Sequence, residues 1–198
     1  IFLNMNTLYK QVKPHFDRHQ KTNNVEFELR LGKVNNKMFD TNIGKETFEK
    51  ITRALEKYTE WEEVKKVRQS VYYKGNTRVI VDEDNDDTVC MKKIPMVKEN
   101  LVLEGRPLDV RFALSTEQPV EQEDGDVMDS VRIKNRTSYI RKNLSIDMTV
   151  VTGQCDDPDD EESERYEVEL EIIDPLKVHN LDQLYNIIHK VHNILEVL

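Results

Sequence analysis

Residues 165–174 read Arg165-Tyr166-Glu167-Val168-Glu169-Leu170-Glu171-Ile172-Ile173-Asp174. Glu167, Glu169 and Glu171 alternate with Val168, Leu170 and Ile172, a period of two that predicts a strand. Such a strand carries three carboxylates on one face and an apolar stripe on the other. Glutamate is depleted in strands and like charges two residues apart repel, so the pattern needs a cause. The same design stands at Val25-Glu26-Phe27-Glu28-Leu29-Arg30-Leu31-Gly32. Either both acidic faces look at water or they look at each other.

Between these strands the bases are grouped. Arg132, Lys134 and Arg136 share one parity, followed by Ser138. Arg111, Ser115 and Glu117 share another, as do Asp147 and Thr149, while Arg78 and either Lys92 or Lys93 lie on neighbouring strands, with Lys93 preferred. A solvated antiparallel face mixes charges, whereas here acids fill two strands and bases fill one between them. Glu26, Glu28, Glu117, Asp147, Glu167, Glu169 and Glu171 make seven acids, against seven bases in Arg30, Arg78, Lys93, Arg111, Arg132, Lys134 and Arg136. A balanced set of this kind can be gathered inside a wet barrel. Glu26, Glu28 and one of the second trio offer oxygen ligands to a hard divalent cation. The bases suit a polyphosphate, Arg through bidentate contacts and Lys as a point charge.

The rest of the pattern is consistent with a mainly β chain. Helical spacing predicts an amphipathic helix over 4–20, with Pro14 working against its second half. A second helix is expected over 45–64 on Phe48, Ile51, Leu55 and Tyr58, and a last one after Asn180 on Leu181, Leu184, Ile188, Val191 and Leu195. Strands are expected at 67–73, 77–82, 88–97, 110–117, 129–139 and 143–151, with turns at Asn35-Asn36, Gly75-Asn76 and the acidic run 82–87. The acidic stretch 156–164 reads as a solvated loop. About eight strands with few helices point to a barrel or sandwich whose helices cover apolar sheet surface.

The chain has 198 residues, 37% hydrophobic and 34% charged, which suits one domain burying roughly two-thirds of its unfolded surface. A net charge of −9 argues against a general nucleic-acid or anionic-membrane binder but allows a local basic pocket. Cys90 and Cys155 have no metal-ligand spacing and fit a reducing, intracellular compartment. No run approaches the ~20 apolar residues of a membrane span, and no secretory signal is present. The run from Asp82 fails as a calcium loop because Asp87 and Lys93 stand where glycine and glutamate are required. The five histidines do not fall in a metal-binding pattern, and no P-loop or GxGxxG motif occurs.

The two glutamate strands resemble the signature of the triphosphate tunnel metalloenzymes, and more narrowly the metal-dependent RNA 5′-triphosphatases of mRNA capping in fungi, protozoa and large DNA viruses. The residues that carry the resemblance are Glu26-x-Glu28-x-Arg30, Asp109-Val110-Arg111 with Glu117, Arg132-x-Lys134-x-Arg136-x-Ser138-Tyr139-Ile140, Ile146-Asp147-x-Thr149-x-Val151, and Glu167-x-Glu169-x-Glu171. The cyclase and thiamine-triphosphatase branch usually has Lys where this chain has Arg30.

The resemblance implies a mainly β (α+β) fold: a closed eight-stranded antiparallel β-barrel tunnel with a hydrophilic interior, flanked by a few helices. It implies hydrolysis of the β–γ anhydride of triphosphate-ended RNA to a diphosphate end and phosphate, the first step of cap formation. Glu26, Glu28 and Glu171 would hold Mg²⁺ or Mn²⁺. Arg78, Lys93, Arg132, Lys134 and Arg136 would grip the phosphates and offset charge in the transition state. Glu117 and Glu169 would orient the attacking water. Asp147 and Glu167 would hold metal-bound waters or basic side chains, Arg30 would join the substrate-binding set, and Arg111 would pair with acids or substrate. The alternatives are a tunnel phosphatase for inorganic triphosphate or nucleoside triphosphates, a non-catalytic polyphosphate- or RNA-end-binding barrel, and a structural β domain with solvated acidic faces. The chain begins at Ile1, and residues 1–198 are expected to be one tunnel domain excised from a longer capping enzyme, covalently linked to guanylyltransferase and methyltransferase domains. A giant-virus source, with a cytoplasmic viral factory or virion as its location, is the specific expectation, with no membrane partner.

Overall fold

A computed structural model describes residues 2–121, 127–153 and 164–198. In chain order the elements are helix α1 (Phe2–His19), strands β1 (Val25–Asn35) and β2 (Met38–Asp40), and helix α2 (Lys45–Lys57). Seven strands follow: β3 (Glu63–Lys74), β4 (Thr77–Asp82), β5 (Thr88–Leu101), β6 (Asp109–Pro119), β7 (Ser130–Arg141), β8 (Leu144–Thr152) and β9 (Arg165–Ile172). A 3₁₀ turn (Pro175–Lys177) leads into helix α3 (Leu181–Leu195).

The strands pair antiparallel in the order β1-β6-β5-β4-β3-β7-β8-β9, and β9 returns to β1, so eight strands close a barrel. The two glutamate strands of the sequence thus become neighbours, with Glu28 opposite Glu171 and Arg30 opposite Glu169. The short β2 is a ninth strand folded back on the end of β1.

The apolar face of these strands points outward. Phe27, Leu29 and Leu31 of β1, Val110, Phe112 and Leu114 of β6, and Val168, Leu170 and Ile172 of β9 are all buried under the helices. Met5, Leu8, Val12 and Phe16 of α1 and Leu184, Ile188, Val191 and Leu195 of α3 complete this core. Phe16 packs on Phe27 at 4.8 Å between ring centroids. Each such side chain contributes roughly 1.5–3 kcal/mol by leaving water. The stabilising core therefore lies outside the barrel, which leaves the interior free for polar groups.

Several expectations shift. Helix α1 runs through Pro14, because the buried Phe16 beyond it anchors the last turns to β1. Helix α2 stops at Lys57 instead of reaching Val64: Tyr58 is extended, and the Trp61 indole N–H donates to the Leu55 carbonyl at 2.9 Å. Tyr58 and Trp61 pack edge-on at that helix end. Strand β5 continues past Val97 to Leu101 through a bulge between Pro95 and Val97. Most of the acidic stretch 156–164 lies outside the described residues. No helix is long and apolar enough to cross a membrane among the described residues.

Candidate active site

Parity along each strand puts the charged set on the inner wall. Glu26, Glu28 and Arg30 alternate with the outward core residues of β1, and Arg111, Ser115 and Glu117 do the same on β6. Arg132, Lys134 and Arg136 of β7 face Val71, Gln69 and Val67 of β3. Asp147 and Thr149 of β8 lie opposite Glu169 and Glu167 of β9. Lys93 lies opposite Glu117, and Lys92 has the other parity, which settles that choice for Lys93. All fourteen residues singled out by their pattern therefore line one tunnel.

The interior is paired as well as charged. The Arg30 guanidinium donates from Nε to Glu28 at 3.1 Å and lies 2.8 Å from Glu169. Lys93 Nζ bridges Glu26, Glu28 at 3.7 Å and Glu117 at 3.5 Å. Arg78 donates to Glu117 at 2.9 Å, and Arg136 reaches Asp147 at 3.5 Å. Ser115 donates to Glu26 and Thr41 to Glu167, each at 2.8 Å, and Ser145 donates to Asp147. A structural domain with solvated acids requires Glu28 and Glu169 in water. Glu28 is 6% exposed and the Glu169 side chain 13%, so that reading is overturned.

Burial of carboxylates at this density must show in their proton affinity. Burial pushes the Glu169 carboxyl up, but Arg30, Arg136, Lys134 and Lys93 outweigh it and hold the group at about 2. Glu171 goes the other way, pushed up to about 8 by burial and by the crowding of Glu26, Asp147 and Glu169. Burial also raises Glu28, against the pull of Arg30 and Lys93. For Arg30, Lys93 and Arg136, burial favours the neutral form and the surrounding carboxylates more than offset it, so all three stay charged.

Two features bear on ligands. The first is carboxylate crowding at Glu171, Glu28 and Glu26 on adjoining strands, a hard oxygen donor set that a divalent cation would neutralise. Those donors fit a metal in chemistry. Among the described residues no trio of potential ligands yet converges on one point, since Glu26 and Glu28 engage Lys93 and Arg30. The second is unsatisfied donors. Arg136 Nε and Thr149 Oγ1, opposite each other on β7 and β8, are buried without a hydrogen-bond partner among the described residues. Buried groups of this kind ordinarily find partners, and an anion oxygen is a natural one. Among the described residues Arg132, Lys134 and Arg111 make no ion pair, leaving three cations free for phosphate. Arg111 donates from Nε to Asn100 at 2.8 Å instead of pairing with an acid.

Some lining groups escaped the sequence pattern. Ser145 shares Asp147's parity and was legible in principle. Tyr73, whose ring lies 5.5 Å from the Arg132 guanidinium, sits in a β3 face without charge periodicity. Thr41, Asn100 and Phe39 come from a loop, beyond a bulge and from the short β2, where no periodicity marks them.

Residues 21–196 match the family described as mRNA capping enzyme, beta chain. The mRNA-capping enzyme subunit beta of Schizosaccharomyces pombe is 33% identical over 89 residues, 44% of this chain and 29% of that protein. The match thus spans less than a third of the relative's own length. The RNA triphosphatase Pct1 of S. pombe superposes with a TM-score of 0.72 over 96% of this chain and 85% of its own, at 19% identity. A second structure of Pct1 holds it in complex with the Spt5 CTD. The capping enzyme triphosphatase of Mimivirus superposes at 0.64 over 96% of this chain and 97% of its own, at 16% identity. At these identities the two structures establish a shared tunnel fold.

Proposed function

The chain belongs to the mRNA capping enzyme beta chain family, and from that premise we propose that it is a divalent-metal RNA 5′-triphosphatase. It would cut the β–γ anhydride of a triphosphate-ended transcript to leave a diphosphate end and phosphate. The observation that carries this is the closed tunnel that holds Arg132 and Lys134, which make no ion pair among the described residues, and Arg136 Nε and Thr149 Oγ1, buried without a partner among them, together with the crowded carboxylates Glu26, Glu28 and Glu171. Pure anion binding would do better without those acids.

Phosphoryl transfer asks mainly for positioning and charge compensation. Arg132, Lys134 and Arg136 hold the phosphate oxygens from the β7 wall, with Lys93 and Arg78 from β5 and β4. Glu169, kept ionised by its four cations, accepts a hydrogen bond from the attacking water and orients it. Glu117 takes the same role from β6. Asp147 fixes the Arg136 guanidinium, and Arg30 holds Glu28 and Glu169 in place by pairing with both. A bound Mg²⁺ or Mn²⁺, held by Glu26, Glu28 and Glu171, would neutralise charge on the γ-phosphate. The diphosphate product is what a guanylyltransferase consumes, so residues 1–198 would work as one domain beside linked guanylyltransferase and methyltransferase activities. The free thiol of Cys90 suits a reducing compartment.

Release of phosphate from triphosphate-ended RNA, titrated with Mg²⁺ and Mn²⁺ beside Glu26→Ala, tests this. Metal-dependent release that the variant loses is the expected result; no release by folded protein at any metal concentration overturns it. The charged groups of the tunnel wall match the phosphates that RNA, free nucleotide and tripolyphosphate share, which favours free nucleotide or tripolyphosphate as a second substrate class. Competition of each against RNA ranks them.

A further inference from the structure

From its Val25 end inward, the tunnel wall presents Glu26, Glu28 and Arg30 in turn along β1, and Glu117, Ser115 and Arg111 along β6. The next inward position of β1 is Gly32, and it is filled by another residue. A Cβ on Gly32 would lie 2.5 Å from Phe39 Cε1, 2.7 Å from Phe39 Cζ and 2.2 Å from the Asp40 carbonyl oxygen. Only glycine permits that approach. Strand β2 pairs Phe39 with Val34, so its ring lies on the same inward face as Gly32.

The ring carries a cation. Arg111 Cζ stands 4.5 Å from the Phe39 centroid, and Arg111 Nε is fixed by Asn100. Arg111 lies opposite Arg30, whose charge is taken by Glu28 and Glu169, whereas Arg111 makes no ion pair among the described residues. Stacking on an aromatic face holds a guanidinium without neutralising it. The segment behind Phe39 is tied across to β9. Asp40 pairs with Arg165 at 2.9 Å, Thr41 donates to Glu167, and Ile43 N–H donates to the Tyr166 carbonyl at 3.0 Å. The β2 hairpin therefore spans the tunnel end from β1 to β9 and cannot swing out freely.

We propose that a 5′-phosphate chain enters beside Val25 and that Phe39, seated on Gly32 and bearing Arg111, is a stop that fixes how far it goes and therefore which anhydride bond is cut. This rests on the triphosphatase reading above and deepens it. With the terminal phosphate against Arg111, the β–γ bridge lies at the carboxylate cluster. Water oxygen then bonds to the γ-phosphorus, the β–γ bridging bond breaks with its electron pair left on the β-phosphate, and the water protons pass to solvent. With the ring removed the chain advances by one phosphate. Attack then falls on the β-phosphorus, the α–β bridge leaves with its pair on the α-phosphate, and the product is pyrophosphate. Phe39 is a positioning residue in this scheme and touches no reacting atom.

The test compares wild type, Phe39→Ala and Phe39→Leu on triphosphate-ended RNA, measuring phosphate and pyrophosphate separately. Wild type should release phosphate, Phe39→Ala should raise the pyrophosphate share by about tenfold, and Phe39→Leu, which keeps bulk, should restore the wild-type ratio. A merely structural role would lower both products together, and an unchanged ratio in Phe39→Ala overturns the stop. Should Phe39→Ala not fold, Phe39→Val carries the same comparison. Calorimetric binding of tripolyphosphate separates the two proposals. If wild type releases nothing, the triphosphatase reading fails. The stop is then supported by weaker binding to Phe39→Ala that Phe39→Leu recovers, and overturned by equal affinities.

Discussion

At the scale of single residues, Glu171 is the group whose environment most needs a cation. Burial and three neighbouring carboxylates push it up to about 8. Glu171→Gln removes one source of that repulsion, so the metal-free variant should melt at or above the wild-type temperature. The same variant should lose the rise in melting temperature that millimolar Mg²⁺ or Mn²⁺ gives wild type, and its phosphate release should fall by roughly a hundredfold or more. Melting curves with and without metal decide it, and a metal-induced rise equal to wild type would remove Glu171 from the ligand set. Arg30 differs, because it is clamped between Glu28 and Glu169. Arg30→Met takes the hydrogen-bonding cation from two buried carboxylates, leaving Glu28 with Lys93 at 3.7 Å and Glu169 with the more distant Arg136, Lys134 and Lys93, and should cost about 3–5 kcal/mol in urea unfolding.

At the scale of elements, helix α1 and strand β1 show tertiary packing overriding local preference. Pro14 lacks the N–H that the Lys10 carbonyl would accept from, yet the helix persists because Val12 and Phe16 are buried on either side of it. Phe16→Ala should therefore destabilise by about 3–5 kcal/mol, well beyond what its helix propensity accounts for. Pro14→Ala restores the missing donor and should stabilise by about 1–3 kcal/mol, read from the same denaturant midpoints. Strand identity and parity were legible in β1, β6, β7, β8 and β9, since alternation of charge with Val, Leu, Ile and Phe admits one face assignment. The end of α2 was not, because Tyr58 continues the apolar stripe and only the Trp61–Leu55 hydrogen bond shows the chain leaving it. Strand β2 was invisible for a related reason: three residues are too few for a period.

At the scale of the whole molecule, the charge ledger separates inside from outside. Seven acids and seven bases balance in the tunnel, so the net charge of −9 is carried by the rest of the chain. A chain of net acidic charge gives the RNA body little attraction. Affinity should then depend on the 5′-triphosphate and change by less than about threefold as the transcript is lengthened, with a shallow salt dependence. Binding of triphosphate-ended RNAs of increasing length, measured across salt concentrations, checks this. A steep gain with length would point to a basic track outside the tunnel.

The sequence by itself determined the parity of the charged strands, the balance of the acids and bases, and through these the inner wall of the tunnel. Side-chain alternation is a local property of extended backbone, and a one-residue error would expose the whole apolar stripe. Tertiary structure alone decided what depends on chain segments distant in sequence. Pairing of β9 with β1 turns Glu28 and Glu171 into neighbours, and the register of β5 on β6 chooses Lys93 over Lys92. The return of β2 over Gly32 brings Phe39 beneath Arg111. Contacts of this kind form only when the barrel closes, because closure, and no local pattern, sets which inward side chains share one space.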